Sequence, residues 1–240
     1  MSAEHIWGEN PLDEPGADPL DIAKKAAFEI AVATGIGHHD IAILAHERWT
    51  PALNQLGKTT EEFPAHDITG FTPPLGDFIP TIRSVILSNN KRALVFVSAP
   101  QLSDSNNVRQ VVHPVRVAAA SGSAHIVLAT TSHGLRPAWS TGTVVMIRDH
   151  LNMTSLSPIE SSTFIDLTDV YSKKIRARMS ELTPSLQSAC VAQVSGPNVG
   201  SNAELQMYRH LGAEVVSTQG ALETIAARQS RLEVSAVTVL

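Results

Sequence analysis

Residues 189–216 read Ala189-Cys190-Val191-Ala192-Gln193-Val194, Ser195-Gly196-Pro197-Asn198-Val199-Gly200, Ser201-Asn202-Ala203-Glu204-Leu205-Gln206-Met207-Tyr208-Arg209-His210-Leu211, Gly212-Ala213-Glu214-Val215-Val216. The run Ala189–Val194 is short, apolar and followed by Gly and Pro, as expected of a strand covered on both faces. Ser201 is placed to cap a helix that runs to Leu211, and Gly212 supplies its C′ position. Ala213–Val216 is a second strand. Strand, helix and strand at these lengths form a unit of a layered α/β sheet.

The alternation continues outward. Downstream, the helix Gly220–Gln229 leads into the strand Leu232–Val239. Upstream stand the helical stretch Val108–Ser121, the strand Ala124–Thr130, the turn Ser132-His133-Gly134, the strand Thr143–Ile147 and the helix Asp169–Glu181. Near the N-terminus, Asp18-Pro19 reads as N-cap and N1. Leu20, Ala23, Ala27, Ile30 and Ala31 then recur at helical spacing as far as Thr34, with Gly35 or Gly37 as the stop. Ile41–Ala45 is a buried strand. Thr50–Pro80, with prolines at 51, 64, 73, 74 and 80, reads as irregular chain. Ile82–Leu87 and Ala93–Ser98 form a hairpin about Asn89-Asn90-Lys91. The expected fold class is α/β, a layered mixed β-sheet surrounded by helices. Residues 1–17, rich in acids, Pro and Gly, are expected to be a mobile arm, and residues 18–240 one domain.

Composition narrows the function. The 240 residues are 43% apolar and 17% charged, which is incompatible with a largely disordered chain. No apolar run approaches the roughly 18 residues that span a bilayer, and the first twenty residues lack the basic start of a signal peptide. A net charge of −5 argues against nucleic acid or an anionic membrane as partner. A single cysteine, Cys190, excludes an internal disulfide and fits a reducing cytoplasm.

Chemistry is less legible from spacing. The ten histidines include His38-His39-Asp40 and His46 with His66, but adjacent histidines on a strand point apart and no helical ligand pair exists, so no metal is expected. Neither G-x-S-x-G nor a glycine-rich phosphate loop of known type occurs. Cys190 reads as a small core residue. Arg148-Asp149-His150 reads either as a histidine oriented by a carboxylate or as an ion pair closing a strand.

His113-Pro114-Val115-Arg116-Val117 and Met146-Ile147-Arg148-Asp149-His150-Leu151-Asn152-Met153 resemble segments of the trimeric purine nucleoside phosphorylases, a group that includes methylthioadenosine phosphorylase. Ser195–Glu204 resembles that family's G-P-x-F-E-T-x-A-E, Leu211–Val216 its L-G-A-D-x-V-G-M-S, and Ala226-Ala227-Arg228 matches the A-R of the helix that follows. The resemblance spans about Ile41 to Leu240. It implies the nucleoside phosphorylase fold, a homotrimer, inorganic phosphate as co-substrate with no other cofactor, and a nucleoside or purine-like ligand.

The same resemblance implies that the ligands of the reaction have been replaced. Glu47 falls at the phosphate-binding serine, Ala99 at the phosphate arginine, Gln101 at the histidine and Ser103 at the tyrosine of Q-G-R-F-H-x-Y-E-G. Thr130, Thr131 and His133 lie in the T-N-A-A-G segment. Val199 replaces an aromatic residue, Gly200 the purine-reading glutamate, and Thr218 and Gln219 the Met-Ser of M-S-T. Gly70-Phe71 is nearest to the P-G-H segment, and the sequence ends at Leu240, before the family's S-x-x-T-N. An ionised Glu47 about 4 Å from a phosphate charge adds on the order of 4 kcal/mol of repulsion at an effective dielectric near 20, roughly a thousandfold in affinity.

The expectation is therefore a phosphorylase scaffold that has lost phosphorolysis and acts as a ligand sensor or partner subunit. The alternative is a divergent enzyme of the N-glycosidic bond recruiting Glu47, His133, His150 and Gln219. A closed pocket with polar groups converging around Glu47, Ala99 and Thr130 would favour the enzyme, and a filled cleft the non-catalytic protein.

Overall fold

The computed structural model describes residues 10–73, 76–160 and 163–240. Its strands are β1 (Ile41–Ala45), β2 (Gly57–Pro64), β3 (Thr81–Leu87), β4 (Arg92–Val97), β5 (His125–Thr131), β6 (His133–Gly134), β7 (Val144–Asn152), β8 (Gln187–Gln193), β9 (Val215–Ser217) and β10 (Glu233–Val239). Its α-helices are α1 (Pro19–Thr34), α2 (Thr50–Leu53), α3 (Leu102–Ser105), α4 (Val108–Val111), α5 (His113–Ala120), α6 (Lys173–Leu182), α7 (Asn202–His210) and α8 (Ala221–Gln229). The strands form one sheet in the order β2-β3-β4-β1-β5-β10-β7-β8-β9-β6. It is mixed, as expected: β1 runs parallel to β4 and β5, β10 parallel to β5, and β7 antiparallel to β10.

The sheet curls back on itself, and the sequence shows why. β6 lies at the far edge, paired antiparallel with β9, yet only Ser132 separates it from β5 in the middle of the order. The half from β5 to β6 must therefore close like a barrel. Ser217 Oγ at the end of β9 donates to the Thr131 carbonyl at the end of β5 across 2.8 Å.

The helices form where expected, with differences that have local causes. Asp18 caps α1 by accepting from the Leu20 N–H, and Gly35 ends it in the left-handed region. Its buried face is Ala23, Ala26, Ala27 and Ile30, whereas Leu20 is exposed. The single helix expected over 108–121 is two, because Pro114 has no N–H to offer the Gln110 carbonyl; the Val112 N–H takes that acceptor in a turn. α6 begins at Lys173 rather than Asp169, whose φ of 55° lies outside the helical region. Within the stretch expected to be irregular, Gly57–Pro64 pairs with β3 as the edge strand β2. β7 runs on to Asn152 because β8 pairs along its whole length, with an irregularity between Ile147 and Asp149.

From Asn10 on, the segment expected to be a mobile arm is docked; residues 1–9 lie outside the described residues. Leu12 is buried, Asn10 Nδ2 donates to the Gly70 carbonyl, and Asp13 accepts from Asn107 and Gln110. Among the described residues no helix is long and apolar enough to cross a membrane.

Candidate active site

β4, β1 and β5 run parallel, so Val97, Ala45 and Thr131 deliver their following loops to one edge of the sheet. Ligands of α/β sheets bind beyond such carboxyl ends, where neighbouring connections diverge. Closure of the barrel adds the turn after β9 to this edge.

Glu47 lies in a short 3-10 turn that begins as β1 ends. Its Oε2 accepts from Ser98 Oγ at 3.1 Å and lies 3.3 Å from His46 Nδ1. Burial lowers the pKa of His46, with Glu47 pulling it back up, which leaves the imidazole neutral at pH 7. Trp49 Nε1 donates to the Thr130 carbonyl at 2.8 Å, tying this turn to β5. Across the edge, Thr218 Oγ1 donates to Gln101 Oε1 at 2.6 Å. A side chain in place of Gly196 would press on Thr218, with the Cβ 2.7 Å from its Cγ2.

Two spaces flank these groups. A cavity of about 430 Å³ is lined by Glu47, Ser98, Ala99 and Gln101, and also by Phe71, Phe96, Asp104 and Gln110. On the other side of Ala99, a space of about 10 Å³ lies among His46, Thr130, Gln219 and Glu223. That is room for about one water. Glu47, Ala99 and Gln101 are thus brought together, and Thr130 and Gln219 are shut into the small space. Thr131 and Thr218 line neither; they hold the β9 turn to β5 and to the loop after β4. His133 is exposed on the edge strand β6. Val199 packs against the cluster of Leu135, Ala192, Val194 and Tyr208, and Gly200, at φ 135°, sits over Glu204 as the chain enters α7. These last three line neither cavity, although the loop after β8 does reach the site at Gly196, beside Thr218.

Arg148-Asp149-His150 resolves into separate roles. Arg148 pairs with Glu214, which also holds Arg136 and the Cys190 N–H. His150 Nδ1 lies 3.1 Å from the Tyr171 hydroxyl, and Asp149 accepts from the His150 backbone N–H. Cys190 is buried, and burial pushes its thiol up to about 11, so it is no nucleophile. His39 and His113 are also structural, bound to Ser84 Oγ and the Thr69 carbonyl.

Several site residues were missed from the sequence. Gln193, fully buried at the end of β8, donates to the Thr218 carbonyl and accepts from the Ala221 and Leu222 N–H groups, which fixes the start of α8. Glu223 accepts from the Gly220 N–H, and burial pushes its carboxyl up to about 7. Its capping position in α8 was the available signal. The resemblance does put Phe71 near the P-G-H segment, whereas Gln110 gives no signal, being joined to the site only by packing.

The Phosphorylase superfamily matches residues 29–240. A purine nucleoside phosphorylase of Cellulomonas sp is 40% identical over 235 residues, covering 96% of this chain and 83% of its own. This chain belongs to the purine nucleoside phosphorylase family. A family member from Mycobacterium tuberculosis is 37% identical over 230 residues, covering 95% and 85%. Among solved structures, the Schistosoma mansoni purine nucleoside phosphorylase in complex with acetate has a TM-score of 0.81 at 19% identity over 92% of this chain and 86% of its own. Isoform 2 from the same organism, in complex with cytosine and ribose-1-phosphate, gives 0.80 at 18% over 92% and 82%. At that identity the likeness bears on the fold, which is the nucleoside phosphorylase fold.

The candidate site of this chain is acidic. The charged side chains lining its large cavity, among the described residues, are Glu47, Asp77 and Asp104, all carboxylates.

Proposed function

We propose that this chain is a purine nucleoside phosphorylase homologue that does not carry out phosphorolysis and serves as a nucleoside-sensing or partner subunit. The observation that carries this reading is the Glu47 carboxylate, bonded to Ser98, where the family resemblance puts a phosphate-binding serine. Phosphate needs cationic or N–H donors, and here it would meet an anion with Ala99 in place of the arginine. The water-sized space beside Thr130 supports the same conclusion, since a sugar has no room there without movement of the surrounding loops.

A second reading follows from the same carboxylate. With phosphate excluded, Glu47 is a candidate base for a water attacking the N-glycosidic bond. No cofactor is needed for either role. By the same resemblance we expect a cytoplasmic homotrimer, which light scattering tests for assembly.

Purified protein incubated with inosine, guanosine, adenosine or methylthioadenosine, with and without phosphate, separates the readings. No free base in either arm is the expected result. Phosphate-dependent release would overturn the proposal, and release without phosphate would establish the hydrolase.

A further inference from the structure

The segment Asn10–Asp18, which leads into α1, ties together two pieces of the large cavity's wall. Asn10 Nδ2 donates to the Gly70 carbonyl at 3.1 Å, next to Phe71 of the cavity lining. Three residues on, Asp13 accepts from Gln110 Nε2 at 3.0 and 3.2 Å and from Asn107 Nδ2. Arg109 Nη1 reaches back to the Leu12 and Ala17 carbonyls at 3.4 and 3.5 Å. Asn107 caps α4 and the other two lie within it, so this one turn commits three side chains to the segment.

The two pieces are held unequally. On one side, the Thr69 N–H and hydroxyl donate to Glu29, and the Thr69 carbonyl lies 2.9 Å from His113 Nε2, so Gly70 is a fixed anchor. On the other, α3 and α4 are single turns that supply Asp104, Ser105 and Gln110 to the lining. Helices this short depend on what they pack against. Gln110 is 4% exposed, and its Oε1 is buried with no partner among the described residues, so the Asp13 bonds are what fix its amide. Without them the whole amide would stand buried and unpartnered, which favours movement of α4 until water reaches it. The segment itself is easily released. Leu12 is its one buried residue, and stretches with few apolar contacts open locally without global unfolding.

We infer that Asn10–Asp18 is a latch on the cavity. Closed, it holds α3 and α4 to the anchored Gly70-Phe71 side; released, it frees that wall to move outward and opens the cavity while the sheet keeps its fold. Such a latch governs access, and it works whatever the cavity binds and whether or not the chain catalyses anything.

The test is hydrogen exchange of the full chain at pH 7, read by mass spectrometry, for the unaltered protein, Asp13→Ala and Glu14→Ala. Amides of residues 102–112 should exchange at least tenfold faster in Asp13→Ala, with β1 and β5 unchanged. Glu14→Ala removes an exposed carboxylate from the same segment and should match the unaltered protein. Access is read separately. Ala65, 5% exposed, lines the cavity, and Ala65→Cys should react with a bulky aromatic disulfide at least tenfold faster once Asp13→Ala is added, while buried Cys190 stays unmodified. Unchanged exchange at 102–112, acceleration shared equally by β1 and β5, or an equal effect of Glu14→Ala overturns the latch. So does an unchanged labelling rate in a folded Ala65→Cys protein, or labelling of Cys190 at the same rate. The exchange comparison needs no introduced thiol, so it decides alone if Ala65→Cys fails to fold.

Discussion

The Thr218 hydroxyl donates to the Gln101 side-chain carbonyl at 2.6 Å, joining the turn after β9 to the loop after β4. These two positions are 117 apart in sequence, and only the curling of the sheet brings them together. Gln193 holds the same turn from below through the Thr218 carbonyl. A neutral hydrogen bond of this kind contributes about 1 kcal/mol net. Thr218→Val, Gln101→Leu and the double variant should give a coupling energy of that size in denaturant titrations, since the two side chains meet directly. A coupling near zero would mean that the loops are not tied.

On the proposed reading, the Glu47 carboxylate is what opposes phosphate. Replacing it by serine removes the carboxylate charge, and adding Ala99→Arg supplies a cation on the neighbouring loop. The paired variant should be stabilised by millimolar phosphate in thermal melts, whereas the unaltered protein should not shift. A ligand at 100 times its dissociation constant adds about 2.7 kcal/mol, so even weak binding is measurable. If the paired variant responds no more than its parent, the site has diverged at more than these two positions.

Most of the sheet was legible because buried strands announce themselves: Ile41–Ala45, Ala93–Val97 and Ala189–Val194 are apolar runs with turns around them. β2 was not, since an edge strand carrying Lys58, Thr59, Glu61 and Glu62 to solvent has no apolar period to read. The break at Val112 was in principle readable from Pro114, whose effect falls four residues upstream. At the site, Glu47, Ala99 and Gln101 could be placed because they follow strand ends within a resemblance that is continuous in sequence. Val199 falls within the same resemblance, which does not show that its side chain packs on the cluster of Leu135 and Tyr208. Part of the cavity wall was invisible for a related reason: Gln110 lies on α4, and its meeting with the loop after β4 is a property of packing.

Glu214 anchors the opposite part of the barrel. It accepts from Arg136, Arg148 and the Cys190 N–H, while Arg136 also lies 5.0 Å above the Trp139 ring. Burial tends to raise its pKa, but the Cys190 N–H and the two arginines outweigh that and hold the carboxyl below its usual value. Hydrogen bonds to charged groups contribute about 1.5–3 kcal/mol each when buried, less where the partner is solvated. Because both arginines are partly exposed, Glu214→Gln should cost about 2 kcal/mol in urea unfolding at pH 7. The unaltered protein has this stability in full above pH 4.5 and loses it as pH falls through the lowered native value, so the gap between the two should close in acid. A pH-independent difference would show that Glu214 acts by packing alone.

Glu223 gives the opposite pH signature. Its carboxyl titrates at about 7 in the fold against 4.5 when free, because burial disfavours the anion more than its backbone hydrogen bonds stabilise it. Below pH 4.5 both states hold the proton and nothing is lost. Between 4.5 and 7 the unfolded chain releases it while the native state keeps it, so stability falls as pH rises, on the order of 3 kcal/mol by pH 8. His39 and His113, both lowered to about 4 by burial, act in reverse and remove stability as pH falls from 6.5 toward 4. Glu223→Gln keeps an acceptor for the Gly220 N–H and cannot ionise. Relative to the unaltered protein it should therefore gain stability steadily from pH 4.5 to 8 and show no gain below that range. Denaturant titrations at pH 4, 6 and 8 measure this directly, and a constant offset at all three would mean that Glu223 titrates alike in the folded and unfolded states.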